Sequence, residues 1–352
     1  MGKKFIPHSS PFIDRSALER VDSTIESGQL AQGPKVAKFE DMFQKYIGVK
    51  YAAASSSGTS ALHLALRVLE IGEKDEVIIP SYVCTAVLNA VNYTGATPVI
   101  VDIDPLTYNI SIDEVKRAIT KKTKAIIVPH MFGCVAEVDR LMKINIPVIE
   151  DCAQAAGAVY KGRKAGSFGL MSVFSFYATK VLTCGEGGMV LSNSKALISK
   201  IKDIRDYDNK KKYILRYNYK MTDIQASLGM DQLSKLDKFI DRRIEIARHY
   251  FKEFKDCDFS LPLRRDNKSH IYYRFVIETK RKATEYLKKL RVRKIRFLPP
   301  VYKPLHVYLN IPGFPNTDIA WEKAISIPLY PSLTQHEIER IVVAVKEIFK
   351  CS

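Results

Sequence analysis

The chain has 352 residues, 46% of them hydrophobic and 26% charged, which is enough for two lobes with separate cores. No apolar run reaches the roughly 20 residues of a membrane helix, and MGKKFIPHSS lacks the apolar stretch of a signal peptide and has Ile6 where a myristoylation signal needs Ser or Thr. The formal net charge of +17 comes with no nucleic-acid recognition motif, so a phosphate-bearing small molecule is the expected anionic partner rather than nucleic acid or a membrane. The cysteines at 84, 134, 152, 184, 257 and 351 form no C-x-x-C pair. Their scatter argues against a metal centre and for a reducing compartment, so a cytoplasmic location is expected.

In chain order, SSSGTSALHLALRVLE (55–70) reads as a Ser/Gly/Thr turn opening an amphipathic helix. EVIIP (76–80), PVIVDID (98–104), KAIIVPH (124–130) and PVIEDC (147–152) are nearly continuous apolar runs, as in parallel strands covered on both faces. TAVLNAVNYTG (85–95) and ISIDEVKRAIT (110–120) have helical length and period, and Ser111 with Glu114 forms an N-cap signature. VFSF (173–176) reads as another strand. A long helix follows in MTDIQASLGMDQLSKLDKFIDRRIEIARHYFKEF, with Thr222 and Gln225 as its capping box. The rest is mixed α+β, with a half-buried helix-to-strand segment expected at YLKKLRVRKIRF (286–297) and a last helix at HEIERIVVAVKEIF. The alternation predicts an α/β fold whose large domain (1–245) has a mostly parallel central sheet flanked by helices, followed by a smaller α+β C-terminal domain (246–352).

Three elements carry chemistry. The turn around Gly58 and Thr59 precedes a helix whose free N–H groups can hold a phosphate, although S-G-T alone favours an ordinary cap. Asp151 ends the run VIED, where ligands meet parallel sheets; alone it is equally a loop residue. In SFYATKVLTCGEGG, Ser175 offers a hydroxyl and Lys180 an amine in an apolar, glycine-flanked setting, where desolvation favours the nucleophilic neutral form. Phosphate cradle, strand-end aspartate and hidden lysine together suit pyridoxal phosphate (PLP), which needs an anion site, a carboxylate on its ring nitrogen and a Schiff-base lysine. His130 and His306 are lone histidines, more often structural than catalytic.

At SGTSALHLAL, GATPVIVDID, EDCAQAAGA, SFYATKVLTCGEGG, YNYKMTDIQASLG and ISIPLYPSLTQHEIERIV the chain resembles, nearly end to end, the DegT/DnrJ/EryC1/StrS family of fold-type-I, PLP-dependent sugar aminotransferases. The resemblance implies that Lys180 carries the cofactor and moves the proton, and that Asp151 keeps the ring nitrogen protonated. It also puts Gln154 near the phenolic oxygen, Ala153 on one ring face, and Gly58, Thr59 and Ser175 on the phosphate. Asn218 would reach the neighbouring subunit's phosphate, implying a homodimer with shared active sites. Tyr177 and His306 would touch substrate. Cys84 stands where relatives have an aromatic residue stacked on the ring, and Tyr82 is the nearby aromatic that could replace it. The implied reaction is amination of a keto sugar linked to a nucleotide diphosphate, with glutamate as donor, in amino-sugar biosynthesis. The alternative is a PLP-binding regulatory protein that keeps the fold without turnover.

Overall fold

The apolar runs do become buried strands, and their alternate residues feed cores on opposite faces of one sheet. The structure, a computed structural model, describes residues 5–264, 269–349 and 351. Residues 1–4, where the Met-Gly reading falls, lie outside the described residues. The strands are β1 (Tyr51–Ser55), β2 (Glu76–Pro80), β3 (Thr97–Val101), β4 (Thr123–Pro129), β5 (Val148–Asp151), the short ribbon β6 (Val159–Tyr160) and β7 (Arg163–Lys164), β8 (Met171–Ser175) and β9 (Gly188–Ser192). Seven of them form a sheet in the order β1-β9-β8-β5-β4-β2-β3. Neighbours from β8 to β3 run parallel, while β9 is antiparallel to both β1 and β8.

Val77, Ile79, Ile127, Ile149, Met171 and Val173 pack against the helix Gly58–Val68 on one face. Ile78, Ile126, Val128 and Val148 face the other way. This two-residue period puts Asp151 and Ser175 on the face shared with Ile149, Val173 and that helix. Glu150 is left on the opposite face.

The helix Asp223–Glu253 starts at the expected capping box, with Thr222 Oγ1 accepting from Gln225 N–H at 3.2 Å and Gln225 Oε1 from Thr222 N–H at 2.9 Å. Its first half buries Met230 and Leu233 in the core of the large lobe, and its second half buries Ile246 and Tyr250 in a separate core. Residue 245 lies inside this continuous helix. The second core is roofed by the antiparallel strands β10 (Phe259–Ser260), β11 (Phe275–Thr279) and β12 (Ala324–Ile327), in that order, with the helix Gln335–Phe349 against them.

The segment 286–297 differs from expectation. A helix covers Ala283–Arg291, but the chain after it makes only an isolated bridge, Ile295 to Ile6, and Val292 is exposed. Ile295 and Phe297 are buried because the N-terminal arm lays Ile6 beside them. Cys257 and Cys351 form a disulfide across 94 residues, a pairing that local spacing could not reveal; Cys84, Cys134, Cys152 and Cys184 are free. No helix among the described residues is long and apolar enough to cross a membrane.

Candidate active site

Gly58 and Thr59 form the first turn of the helix Gly58–Val68. The cap is made by their neighbours: Ser57 Oγ accepts from Ser60 N–H at 3.1 Å, and Ser60 Oγ accepts from Ser57 N–H at 2.9 Å. The N–H groups of Gly58 and Thr59 are thus left for a ligand. Ser175, at the end of β8, closes on this turn. A Cβ on Gly58 would lie 2.8 Å from Ser175 Cβ, and one on Gly188 only 2.2 Å from Ser57 O, so glycine is needed at both for the approach. The result brings the Ser175 hydroxyl up to the helix's first free N–H groups, a donor set that suits a phosphate.

Asp151 is buried at the end of β5. Among the described residues its carboxylate accepts one hydrogen bond, from Ala153 N–H at 3.0 Å. Burial pushes its pKa above the ordinary carboxylate value, and the Ala153 N–H, Lys180 and His130 only partly offset that. An under-coordinated buried carboxylate of this kind fits a cationic ring nitrogen.

Lys180 is half-buried in the turn after β8, with its N–H donating to Tyr177 O at 2.9 Å. Its Nζ lies 5.3 Å from the centre of the Tyr273 ring. Tyr273 was not singled out in the sequence; nothing in SHIYYRFVI marks it. Burial raises its pKa, but Lys180, Arg274, the Thr179 hydroxyl and Arg243 together bring it down to about 8.

Gln154 is oriented by accepting Phe132 N–H at 2.8 Å through Oε1, with its NH2 group 3.9 Å from Met131 Sδ, a weak acceptor. Cys84 is exposed at the N-cap of the helix Thr85–Asn92 and makes no cap hydrogen bond. Tyr82 cannot stand in for it on a cofactor ring. That side chain is fully buried between Tyr108 and Phe132, and its hydroxyl donates to Ala320 O at 3.2 Å. Tyr177 is exposed beside the lysine turn. Asn218 is exposed too: the rings of Tyr217 and Tyr219 stack on each other and meet His63 edge-on, so the residue between them is turned outward.

His306 is buried with both ring nitrogens engaged, Nδ1 with Ser81 Oγ at 2.7 Å and Nε2 with Asp318 at 3.0 Å, so in this structure it ties the lobes rather than offering a free atom to substrate. His130 is likewise structural. Its Nδ1 accepts Ala136 N–H at 3.2 Å, so the proton is on Nε2, which donates to Glu150 at 3.0 Å. Cys152 lies close to this pair, but the donors around Glu150 leave the three-residue group as a hydrogen-bonded cluster rather than an open metal site.

A phosphate cradle, a buried carboxylate and a lysine gathered at the ends of β5 and β8 define an enzyme of the pyridoxal-phosphate-dependent transferase fold, type I. The chain belongs to the DegT/DnrJ/EryC1/StrS aminotransferase family, whose model matches residues 11–346. It is 35% identical to GDP-perosamine synthase of Escherichia coli O157:H7, over 98% of this chain and 99% of that one. It is 36% identical to dTDP-3-amino-3,6-dideoxy-alpha-D-galactopyranose transaminase of Aneurinibacillus thermoaerophilus, over 94% of each. Among solved structures it matches Helicobacter pylori PseC, an aminotransferase involved in the biosynthesis of pseudoaminic acid, with TM-score 0.92 and 28% identity over 99% of this chain and 100% of the other. Similar solved structures include PLP and PMP forms. The protein is a PLP-dependent sugar aminotransferase of amino-sugar biosynthesis.

Proposed function

We propose that the enzyme takes an amino group from glutamate and delivers it to the keto group of a nucleotide-diphosphate-linked deoxysugar. The convergence of Lys180, Asp151 and Ser175 on one sheet face carries the reading. The names of the two curated relatives, one a GDP-linked and one a dTDP-linked sugar, support a nucleotide sugar as acceptor.

When bound, PLP supplies a carbonyl for the amine and a ring that withdraws electrons from the reacting carbon. Lys180 Nζ holds the cofactor and then carries the proton between donor and acceptor atoms. Asp151 keeps a proton on the ring nitrogen through charge pairing in a buried site. Gly58, Thr59 and Ser175 bind the phosphate, and the Gln154 NH2 group donates to the phenolic oxygen. Cys84 lies over the ring, and Tyr177 faces the sugar. His306 is left a positioning role through Ser81. Asn218 reaches the phosphate of a second copy, making a homodimer with shared sites. We divide the chain at 245/246 and place the enzyme in the cytoplasm, where reducing conditions would hold Cys257 and Cys351 as thiols.

The test is an absorbance spectrum with PLP before and after glutamate. Wild type should show the band of lysine-bound cofactor near ~420 nm, a Schiff-base property, and lose it to the amine form on adding glutamate. Lys180→Ala should show neither, with turnover down by roughly 10²–10⁴-fold or more. A band that no amino donor discharges would sink the reading.

A further inference from the structure

Next to the lysine turn is a cavity of about 310 Å³ that none of the roles above uses. Thr179 and Tyr273 form the wall nearest Lys180, the N-terminal arm closes one side, and Leu298 and Leu329 close the other. The charged or titratable groups on its wall besides Tyr273 are Arg243, Arg274, Arg296 and His8; no Asp or Glu lines it.

The three guanidinium groups are uncompensated. Among the described residues, none of them pairs with a carboxylate. Arg243 is buried, donates through Nη1 to Leu329 O at 2.8 Å, and keeps its buried Nε without a partner. Arg274 lies 5.5 Å from the Tyr273 ring centre and 3.4 Å from His8 Nε2. Arg296 is exposed at the rim. Burial first, then Arg274, Arg296 and Arg243, pushes the His8 pKa down to about 3, so the imidazole adds no charge to the wall. Three like charges around a half-enclosed space are costly until an anion enters. Guanidinium forks match carboxylates in a planar, two-bond geometry.

Size narrows the anion. The cavity is near the lower end of the roughly 300–1,000 Å³ of small-molecule sites, room for a five-carbon acid and not for a nucleotide diphosphate sugar. Position narrows it further, because Tyr273 is shared between this wall and the Lys180 amine. We propose that the arginine pocket holds the carboxylates of a dicarboxylic amino donor, with Arg243 as its buried anchor and Arg274 and Arg296 as its adjustable arms. This deepens, and rests on, the aminotransferase reading.

The test titrates the PLP-loaded enzyme calorimetrically with glutarate, a dicarboxylate with no amine to react, in wild type, Arg274→Gln and Arg296→Gln. Arg296 is exposed and Arg274 only half-buried, so both variants should keep the fold; Arg243, tied to backbone carbonyls, is left intact. Wild type should bind glutarate and bind butyrate much more weakly. Each substitution should weaken glutarate roughly tenfold or more, the usual size of a charge-assisted hydrogen bond. The glutamate concentration that half-discharges the cofactor band should rise in parallel, and by more than that for L-alanine, which brings one carboxylate to the pocket instead of two. No glutarate binding, or binding indifferent to both substitutions, overturns the proposal. So does pyrophosphate binding more tightly than glutarate with the same arginine dependence, which would assign the pocket to the sugar nucleotide. Arginine-dependent glutarate binding without discharge by any amino donor supports the pocket and removes the aminotransferase reading instead.

Discussion

On the two faces of β5, neighbouring carboxylates meet opposite fates. Glu150 and Asp151 are both buried. Glu150 accepts from the N–H groups of Gly166, Phe168 and Gly169 at 2.9, 2.7 and 2.7 Å, and from His130 at 3.0 Å. Burial alone would raise its pKa, but His130 and the backbone donors overcome that and hold it below the ordinary value. Asp151 has one donor and is held above it. The fold spends Glu150's charge internally, to pin the 166–169 turn under the sheet. It leaves Asp151's charge unmatched, on the face where a cation is to bind. Burial does not separate a structural carboxylate from a functional one; the count of donors around it does.

Substituting each carboxylate by its amide sharpens that contrast. Asp151→Asn should cost activity most, by roughly 10²–10³-fold, the usual size of one preorganised electrostatic partner, with little loss of fold. Glu150→Gln should instead cost stability, about 2–4 kcal/mol, because an NH2 group would be forced against N–H donors in a buried site. Thermal unfolding of the cofactor-free proteins and kcat/KM of the loaded ones separate the two. If Glu150→Gln kept its melting point while Asp151→Asn lost several degrees, the assignment of the two faces would be wrong.

A smaller effect lies in the pH dependence of the cofactor-free protein. Asp151 binds its proton more tightly folded than unfolded, so its contribution is lost as pH rises through the range above its ordinary 3.8. Glu150 binds its proton more weakly folded, so its contribution is present above its ordinary 4.5 and is lost as pH falls below it. Asp151→Asn should therefore gain on wild type as pH rises above the ordinary 3.8 of Asp151, and the deficit of Glu150→Gln should shrink below pH 4.5. Unfolding curves across that range check both; parallel curves for the two variants would break the comparison.

The same two residues show what a sequence can carry. The strand VIED is legible because both sheet faces want apolar residues, and its end is legible because ligands gather there. The cradle at 57–60 and the lysine turn are also local, and their motifs stay contiguous in the fold. Asp151 could be picked out, but not told from Glu150 by environment, since Glu150's donors come from 166–169 and from His130, 16 to 20 residues away and beyond any local motif. The arginine pocket was less legible still. It is assembled from the N-terminal arm, the lysine turn, the long helix, β11's approach, the segment after Arg291 and the end of β12, six stretches that share no period or motif. Tyr82 is the converse case. Proximity in sequence to Cys84 suggested a stacking role, but the turn after β2 points its ring into the core.

That leaves the open face of the cofactor, where the expected effect is smallest. Cys84 is exposed and extended, with φ −72° and ψ 154°, a backbone that accepts any side chain, and its thiol caps nothing. A phenylalanine there adds ring area at no conformational cost. If Cys84 lies over the ring, Cys84→Phe should tighten PLP binding by roughly 2–10-fold, the 0.5–1.5 kcal/mol or so of an aromatic pair. Titration of cofactor-free protein with PLP, followed by absorbance, measures this directly. Weaker binding with an unchanged melting point would mean that the position is too tight for a ring and that a small residue is required there. An unchanged affinity would take Cys84 off the ring face altogether, leaving Tyr177, exposed beside Lys180, as the aromatic to substitute next.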